Sequence, residues 1–203
     1  FARATSVAEG IAIIQKNVPL LSGLTMLQLR EFMLDSTLHA PKPGEVIFER
    51  NDYTNSLYCI VEGEATVIST HSDGGEARFK LGTGAFFGEM GLISGRRRTA
   101  TVVAGPGCIL VETPRRSMLK LVSSVESVQR TLDQESLKRA VHTFLGMSLS
   151  DTELRFLAQG AQIRRYAAGE ELFHQGDDAD GLYLIRKGSV TVSRLLGGKD
   201  VVL

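Results

Sequence analysis

The sequence predicts a mainly β fold with flanking α-helices, in two tandem copies. Short runs such as Glu64 to Ser69 and Ser189 to Ser193 alternate apolar and polar residues, which is the period of half-buried strands. Glycine makes up 21 of 203 residues, above its usual share of about 7%, and favours many tight turns. One long segment also recurs further along the chain. Many short strands joined by glycine-bearing turns are typical of a β-sandwich or barrel.

The recurring segment defines the two copies. GEVIFERNDYTNSLYCIVEGEATV begins at Gly44 and aligns without a gap with GEELFHQGDDADGLYLIRKGSVTV, which begins at Gly169, an offset of 125 residues. The counterpart of residues 87–102 would fall at 212–227, beyond Leu203, and the chain begins with Phe1 instead of Met. We therefore expect a fragment of a longer protein. We predict one complete domain over residues 1–140 and the N-terminal part of a second over 141–203.

Each copy opens with a helix signal. Thr25-x-x-Gln28 and Ser150-x-x-Glu153 are capping-box patterns, in which side chains satisfy the free backbone N–H groups of a first helical turn. Strands follow each of these helices. Between two strands of the first copy, His71-Ser-Asp-Gly-Gly-Glu76 is predicted to form a hairpin turn, since its glycines accept positive φ angles at little cost.

Further helices are predicted after the strands of the first copy. Thr113-Pro114 is a favourable N-cap and first-position pair for a helix through Met118, Leu119 and Val122. Ser123-x-x-Glu126 starts or re-caps another helix. The residues of one apolar stripe then repeat at helical spacing, and they suit a core, a dimer seam or a ligand lid: Leu121, Val125, Val128 and Leu132.

Composition excludes several classes of function. The 23 basic residues balance the 23 acidic ones, so no broad positive field attracts nucleic acid or an anionic membrane. Cys59 and Cys108 lack a CxxC pairing and the four histidines form no spaced ligand pair, so we expect packing thiols and no metal site. No apolar run reaches the roughly 18 residues of a membrane span, and no secretory pattern opens the chain. We expect a soluble, cytoplasmic protein.

A carboxylate and three arginines meet in FGEMGLISGRRRTATV, residues 87–102. A cyclic phosphodiester of a ribose carries one negative charge, which must be paired when it is shielded from water. Arg98 suits this charge, because its planar fork donates two parallel hydrogen bonds and keeps its own charge. An ionised carboxylate at Glu89 is a strong acceptor for the free 2′ hydroxyl of the sugar. We therefore predict that Glu89 and Arg98 converge on one small pocket.

The spacing of these residues requires a compact local structure. Glu89 to Ile93 are predicted to form one helical turn, Ser94-Gly95 to reverse the chain, and Thr99 to Val103 to leave as a strand. Gly88 lets the backbone approach a ligand closely, and the N–H groups at a helix N-terminus face an anion. Three apolar side chains are expected to anchor the turn on the core: Met90, Leu92 and Ile93.

The same stretch resembles the phosphate-binding cassette of the cyclic nucleotide-binding domain family. The family pattern is an FGE start, an apolar turn, and an arginine followed by a small residue, Ala and Ser or Thr. PGEVIFERND and SLYCIVEGEATV resemble the strands that precede the cassette, so the resemblance covers about residues 15–140, with a truncated second match from about 145 to the end. It implies a jelly-roll-like β-barrel of the cyclic nucleotide-binding type in each copy.

The resemblance also implies roles for individual residues. Glu89 is expected to bind the ribose hydroxyl and Arg98 the cyclic phosphate. Five further residues are expected to line the phosphate and sugar: Gly88, Met90, Gly91, Thr99 and Ala100. In the family, a residue from the following helix covers the base, and here Leu121, Val125 and Val128 are candidates.

Three positions bear on how closely the family pattern applies. Gly91 stands where the family usually has Ala, which should loosen the turn. Arg97 stands where the family often has Pro, and its charge either strengthens phosphate attraction or points to solvent. A hydroxyl at the position of Thr99 can bond the guanine amino group of cGMP, yet cAMP-responsive channels also carry Thr there. We narrowly favour cAMP over cGMP.

These observations favour a regulatory module that is not itself an enzyme. It is expected to bind cAMP or cGMP without any cofactor and to couple binding to repacking of the helices after Pro114, which also offer a homodimer contact. The output would lie in a longer chain or a partner, as part of an enzyme, transporter or transcription factor. The alternative is an interaction scaffold with the same fold that binds no nucleotide. Dinucleotide and P-loop motifs fail on spacing around Gly82 to Gly88 and at Gly198-Lys199-Asp200.

Overall fold

The computed structural model describes residues 6–70, 75–95, 97–145 and 150–203, and the chain divides into two units, Phe1–Ser136 and Leu137–Leu203. The described helices are α1 (Val7–Asn17), α2 (Met26–Leu34), α3 (Glu89–Ser94), α4 (Arg115–Ser124), α5 (Glu126–Leu145) and α6 (Asp151–Gly160). The described strands are β1 (Thr37–His39), β2 (Val46–Phe48), β3 (Ser56–Glu62), β4 (Glu64–Thr70), β5 (Glu76–Gly82), β6 (Phe86–Phe87), β7 (Thr101–Ala104), β8 (Ile109–Pro114), β9 (Ser193–Leu196) and β10 (Lys199–Val202).

Two four-stranded sheets form the first unit. One has the order β1-β8-β3-β6 and the other the order β2-β7-β4-β5, and every neighbouring pair is antiparallel. The connections cross between the two sheets, because β2 lies in one sheet and β3 in the other. The predicted mainly β architecture with flanking helices is confirmed.

Strand β3 separates two cores, because side chains on a strand alternate between faces. Leu57, Cys59 and Val61 are fully buried on the face that packs against helices, in what we call the helical core. Tyr58 and Ile60 point the other way, between the two sheets, into the barrel core. The first unit therefore buries β3 on both faces, and the site described below includes Ser56 at the start of this strand.

Both predicted capping boxes are present. Thr25 accepts a hydrogen bond from the Gln28 amide at 3.3 Å, and the Gln28 side chain accepts one from the Thr25 amide at 2.9 Å. Ser150 and Glu153 form the same reciprocal pair before α6, with distances of 3.4 and 2.8 Å. Each box satisfies backbone donors that a helix start would otherwise leave unpaired.

The helix after β8 starts differently from its prediction. Pro114 is the N-cap of α4 instead of its first residue, and Thr113 belongs to β8. The Thr113 hydroxyl is buried and lies 2.9 Å from the Ser36 hydroxyl, so a tertiary hydrogen bond replaces the predicted cap.

A second correction concerns the junction of α4 and α5. A second helix is present as predicted, but it begins at Glu126, after Val125, which is extended with φ −129 and ψ 102. Ser123 does not cap that helix, since its hydroxyl donates to the Leu119 carbonyl within α4 at 2.9 Å. The predicted apolar stripe continues across this break and is buried in the helical core: Leu121, Val125, Val128 and Leu132.

The predicted strands differ in outcome. The strand predicted at Glu64 to Ser69 is β4, which pairs with β5 so that Thr70 faces Glu76; the predicted turn between them lies mainly at 71–74, outside the described residues. The prediction of a strand at Ser189 to Ser193 is wrong, because the strands in this region are β9, which begins at Ser193, and β10. A strand needs hydrogen-bonded neighbours, and residues 189–192 have no paired strand among the described residues.

The second unit repeats the turns of the first at the same offset of 125 residues. The Glu49 amide donates to the Asp52 carboxylate at 2.8 Å, and the His174 amide donates to Asp177 at 2.7 Å. Positive φ angles recur at three matched pairs of positions: Gly44 and Gly169, Asn51 and Gly176, Gly63 and Gly188. The duplication seen in the sequence therefore extends to local backbone geometry.

Gly63 and Gly44 provide a matched test of turn packing in the first unit. Both have positive φ, but a Cβ on Gly63 would lie 2.3 Å from the Gly107 carbonyl oxygen, whereas a Cβ on Gly44 would meet nothing within 4 Å. We expect Gly44→Ala to lower the free energy of unfolding by about 1–2 kcal/mol, the cost of the left-handed conformation. Gly63→Ala should cost roughly 3 kcal/mol or more, because overpacking adds to that cost.

Urea unfolding followed by far-ultraviolet circular dichroism measures both variants. Equal losses for Gly63→Ala and Gly44→Ala would show that the close approach to Gly107 does not constrain this turn.

Candidate functional site

The site is built around the short helix α3. Its N-cap, Gly88, has φ 90, and a Cβ there would lie 2.6 Å from Nη1 of Arg98 and 2.8 Å from the Ser56 carbonyl oxygen. A side chain at this position is excluded both by the backbone conformation and by space. Gly95 ends the helix with φ 68 and donates to the Gly91 carbonyl at 2.9 Å. The predicted helical turn and chain reversal are therefore present.

The Arg98 side chain is 2% exposed and makes three hydrogen bonds. Nε donates to the Thr54 hydroxyl at 2.7 Å, Nη1 to the Gly88 carbonyl at 3.1 Å, and Nη2 to the Ser56 carbonyl at 2.8 Å. A guanidinium has five N–H donors. Three of them make these bonds, and the other two make no hydrogen bond with the described residues. Two parallel donors are what a phosphate or carboxylate accepts from an arginine.

Aromatic rings surround the Arg98 guanidinium. Its central carbon lies 4.1 Å from the ring centroid of Phe48 and 5.8 Å from that of Tyr58. Tyr58 in turn stacks on Phe87, the residue before Gly88, with ring centroids 5.2 Å apart. Burial lowers the pKa of Arg98, and nearby acidic groups act in the opposite direction. An arginine remains protonated at neutral pH, so a full positive charge is held inside the domain.

Glu89, the first residue of α3, is 1% exposed. Its negative charge opposes the effect of burial on the pKa of Arg98. The two charged groups singled out from the sequence are therefore both buried and within electrostatic reach of one another.

A shallow depression of about 520 Å³ opens beside Arg98. Its lining comprises Arg50, Asn51, Tyr53, Arg97, Arg98 and Thr99. Of the residues predicted to contact a ligand, Arg98 and the exposed Thr99 line this depression. The other five do not line it: Gly88, Glu89, Met90 and Gly91 belong to α3 or its cap, and Ala100 packs against the barrel core.

The apolar stripe proposed as a cover for the base lies elsewhere in the first unit. Leu121, Val125 and Val128 are buried in the helical core, together with Leu92 of α3, and none of them lines the depression.

Sequence reasoning missed the contribution of residues 49–54, the turn between β2 and β3. The Asn51 amide donates to the Arg98 carbonyl at 2.9 Å, and the Arg98 amide donates to the Asp52 carbonyl at 3.0 Å. Strand β7 begins at Thr101, two residues later than predicted. The alignment of Asp52 with Asp177 in the repeat could have drawn attention to this turn. Nothing in the sequence indicates that the turn contacts residues more than 40 positions further on.

The sequence model of the cyclic nucleotide-binding domain matches residues 39–125 and 163–203, more than half of the chain. The chain belongs to the cyclic nucleotide-binding domain family. The two matched ranges fall in the two copies that the repeat defines, and the first contains all of α3 and Arg98. The jelly-roll-like fold expected from the resemblance is confirmed for the first unit.

Two curated relatives of this chain come from Drosophila melanogaster. The cGMP-dependent protein kinase, isozyme 1, is 26% identical over 176 residues, which are 87% of this chain and 22% of the relative. The cAMP-dependent protein kinase type II regulatory subunit is 27% identical over 183 residues, which are 87% of this chain and 45% of the relative. The chain thus spans less than half of each of these relatives.

A solved structure supports the fold of the cyclic nucleotide-binding domain. The regulatory subunit of a cAMP-independent protein kinase A from Trypanosoma brucei has a TM-score of 0.56 and 25% identity, covering 64% of this chain and 47% of that chain. Within the described ranges, no helix has the length and apolar character needed to cross a membrane. No cluster of three or more metal-ligating side chains occurs there either.

One further interaction connects the Arg98 environment of the cyclic nucleotide-binding domain to its surface. The Tyr58 hydroxyl donates to Glu112 at 3.1 Å, and Nε2 of His39 lies 2.7 Å from an oxygen of the same carboxylate. Burial, together with the charge of Glu112 and its hydrogen bond, raises the pKa of Tyr58 from 10.0 to about 12. Tyr58 is therefore neutral beside Arg98 at physiological pH.

This raised pKa predicts a pH dependence of stability. The folded state binds the Tyr58 proton more tightly than the unfolded state, so its stabilising effect is complete below pH 10 and is lost between about pH 10 and 12. Wild type should therefore lose free energy of unfolding more steeply across this window than Tyr58→Phe. Urea unfolding at several pH values measures the difference.

The buried thiol of Cys59, whose pKa is also raised to about 12, is common to both proteins and cancels in this comparison. Parallel pH curves for wild type and Tyr58→Phe would contradict the assignment to Tyr58.

Proposed function

We propose that the first unit is a regulatory domain that binds a cyclic mononucleotide. Arg98 holds the cyclic phosphate, and Glu89 accepts a hydrogen bond from the ribose 2′ hydroxyl. The observation that carries this proposal is the buried Arg98 guanidinium, which lies within the family cassette beside a depression and has two N–H donors outside its described bonds. A singly charged phosphodiester complements one fixed guanidinium.

We also propose that residues 1–140 form one cyclic nucleotide-binding domain and that 141–203 are the N-terminal part of a second. The second matched range, 163–203, supports this organisation. The turn hydrogen bonds and positive φ angles that recur at an offset of 125 residues support it as well.

Coupling to the helices after Pro114 has a direct route in the first unit. Nε of Arg115, the first residue of α4, donates to the Leu92 carbonyl of α3 at 3.1 Å. The Leu92 side chain is 1% exposed and packs in the helical core with Met118 and Leu121. A ligand that moves α3 therefore acts on α4 through both backbone and core. The resulting population shift is limited by the difference in the ligand's affinity for the two states.

The choice of base is the finer part of the proposal. We favour cAMP narrowly over cGMP, and the two Drosophila relatives, one named for each nucleotide, support either choice. Thr99 is exposed at the edge of the depression, where its hydroxyl is available to a base.

The output of this domain is proposed to be a protein kinase, in the same longer chain or in a partner, and the location to be cytoplasmic. Both Drosophila relatives are named as kinases or kinase regulatory subunits, which supports this output. The segment itself is proposed to be non-catalytic. A homodimer through α4 and α5 would have to use their polar faces, because the apolar stripe is buried within the first unit.

A second candidate function is an interaction scaffold that does not respond to cyclic nucleotides. The Trypanosoma brucei relative, named as part of a cAMP-independent kinase, supports this alternative. Thermal unfolding in excess cAMP and cGMP separates the two candidates, since a ligand that binds only the folded state raises the melting temperature. An unchanged melting temperature with both nucleotides favours the scaffold.

Removing the Arg98 side chain tests the proposed phosphate contact. Arg98→Ala should weaken nucleotide binding by on the order of 3–5 kcal/mol, a hundredfold or more, because the phosphate loses its charged partner. Calorimetric titration measures the affinity. Arg78→Ala is the matched control, since Arg78 is an exposed arginine on β5 that pairs with Glu76 at 3.1 Å.

Arg98→Ala also removes the donors of two backbone carbonyls, so its ligand-free melting temperature is measured in parallel. If that variant unfolds, Arg98→Lys keeps the charge but loses the planar fork. Wild-type affinity in a folded Arg98 variant would refute the phosphate contact.

Thr99→Ala tests the base contact. If the Thr99 hydroxyl bonds guanine, the variant should lose roughly fivefold in cGMP affinity, about 1 kcal/mol, and little in cAMP affinity. Competition between the two nucleotides on one preparation measures the ratio directly. Equal changes for both nucleotides would exclude a base-selective contact.

A further inference from the structure

Arg97 makes two contacts with the turn at residues 49–54. Its Nη1 donates to the Asn51 carbonyl at 2.9 Å, and its guanidinium lies over the Tyr53 ring, 5.5 Å from the centroid. Arg97 and Tyr53 are both exposed, so neither is fixed by packing in a core. The sequence left two options for the Arg97 charge, phosphate attraction or solvent, and the structure shows a third arrangement.

Turn 49–54 is joined to the cassette strand through backbone bonds at the next residue. The Asn51 amide donates to the Arg98 carbonyl at 2.9 Å, and the Arg98 amide donates to the Asp52 carbonyl at 3.0 Å. The Arg50 amide also donates to the Thr101 hydroxyl at 3.0 Å. Asn51 adopts φ 74 to make this approach, a conformation that few residues other than glycine and asparagine tolerate. The main chain of Arg98 is therefore located by this turn.

The same turn also locates the Arg98 side chain. Thr54, at its end, accepts the hydrogen bond from Nε at 2.7 Å, and Ser56, two residues later, accepts from Nη2 at 2.8 Å. If the turn moves away from the cassette, these bonds cannot keep their geometry. The orientation of the guanidinium then becomes less defined.

We propose that Arg97 and Tyr53 form a clasp that holds turn 49–54 against the cassette and thereby sets the position of Arg98. Arg97 is thus a positioning residue for the cyclic phosphate and not a phosphate ligand. The effect on affinity rests on the proposed function, whereas the effect on the turn does not.

The clasp depends on the planar shape of the Arg97 side chain more than on its charge. A guanidinium stacks over an aromatic ring and directs an N–H in its own plane, whereas a lysine ammonium is a hydrated point charge. The Arg97 charge is exposed to solvent and screened by salt, which weakens any direct attraction for a phosphate. Arg97→Lys therefore separates the two roles.

We expect Arg97→Lys and Tyr53→Ser each to weaken cAMP or cGMP binding by about three- to tenfold, because each loses the stacked contact. Tyr53→Phe keeps the ring and should lose less affinity than Tyr53→Ser. The double variant Arg97→Lys/Tyr53→Ser should be no weaker than the worse single variant, since both changes remove one shared interaction. Calorimetric titration at two salt concentrations measures these five proteins and the uncharged variant Arg97→Gln.

A measurement on the ligand-free protein tests the clasp without relying on nucleotide binding. The amides of Asn51 and Arg98 bridge the turn and the cassette, so Arg97→Lys should speed their hydrogen exchange and leave the amides of β3 unchanged. If wild type binds neither nucleotide, the proposed function fails, and this exchange result alone decides whether the clasp exists.

Three outcomes would overturn the proposal. Full affinity in Arg97→Lys, with a stronger salt dependence than in the uncharged Arg97→Gln, would assign Arg97 to direct phosphate attraction. Additive losses in the double variant would show that Arg97 and Tyr53 act separately. Unchanged exchange at Asn51 and Arg98 would show that the turn holds without the clasp.

Discussion

The structure of the candidate site depends on one buried charge, the guanidinium of Arg98. A positive charge that is 2% exposed is costly unless it is hydrogen-bonded and neutralised. The carbonyl groups of Ser56 and Gly88 both accept hydrogen bonds from it, which places the start of β3 and the cap of α3 around one group. Gly88 must lack a side chain because Arg98 occupies the space that a Cβ would take. The local fold of the cassette is thus arranged around this charge.

This arrangement prepares the arginine for an anion before any ligand arrives. The fold has already removed most water from the guanidinium, and Thr54 and Ser56 already hold its plane in one orientation. An incoming phosphate therefore meets a donor whose side-chain entropy has been lost during folding, which is the general advantage of a preorganised site. The same contacts limit how far Arg98 can move toward a ligand. The turn that carries Thr54 consequently has as much influence on the site as the cassette itself.

The sequence predicts features that depend on neighbouring residues better than features that depend on contacts between residues far apart in the chain. The capping boxes at Thr25 and Ser150 and the helical turn from Gly88 to Gly95 depend on neighbouring residues, and the sequence predicted all of them. The cap predicted at Thr113 failed because its hydroxyl meets Ser36, 77 positions earlier. The contacts of residues 49–54 with Arg98 were missed for the same reason. A single sequence shows local periodicity and capping, but not which distant backbone groups meet.

Helix α3 connects Arg98 to α4, and its short length is important for this connection. A helix of six residues is not stable by itself, so its position is set by what holds its ends. At the N-terminal end, the Gly88 carbonyl is bound to Arg98. Toward the other end, the Leu92 carbonyl is bound to Arg115 of α4, and the Leu92 side chain is buried in the helical core. A group that changes the position of Arg98 therefore acts on the Gly88 end of a short helix whose Leu92 carbonyl is bonded to α4.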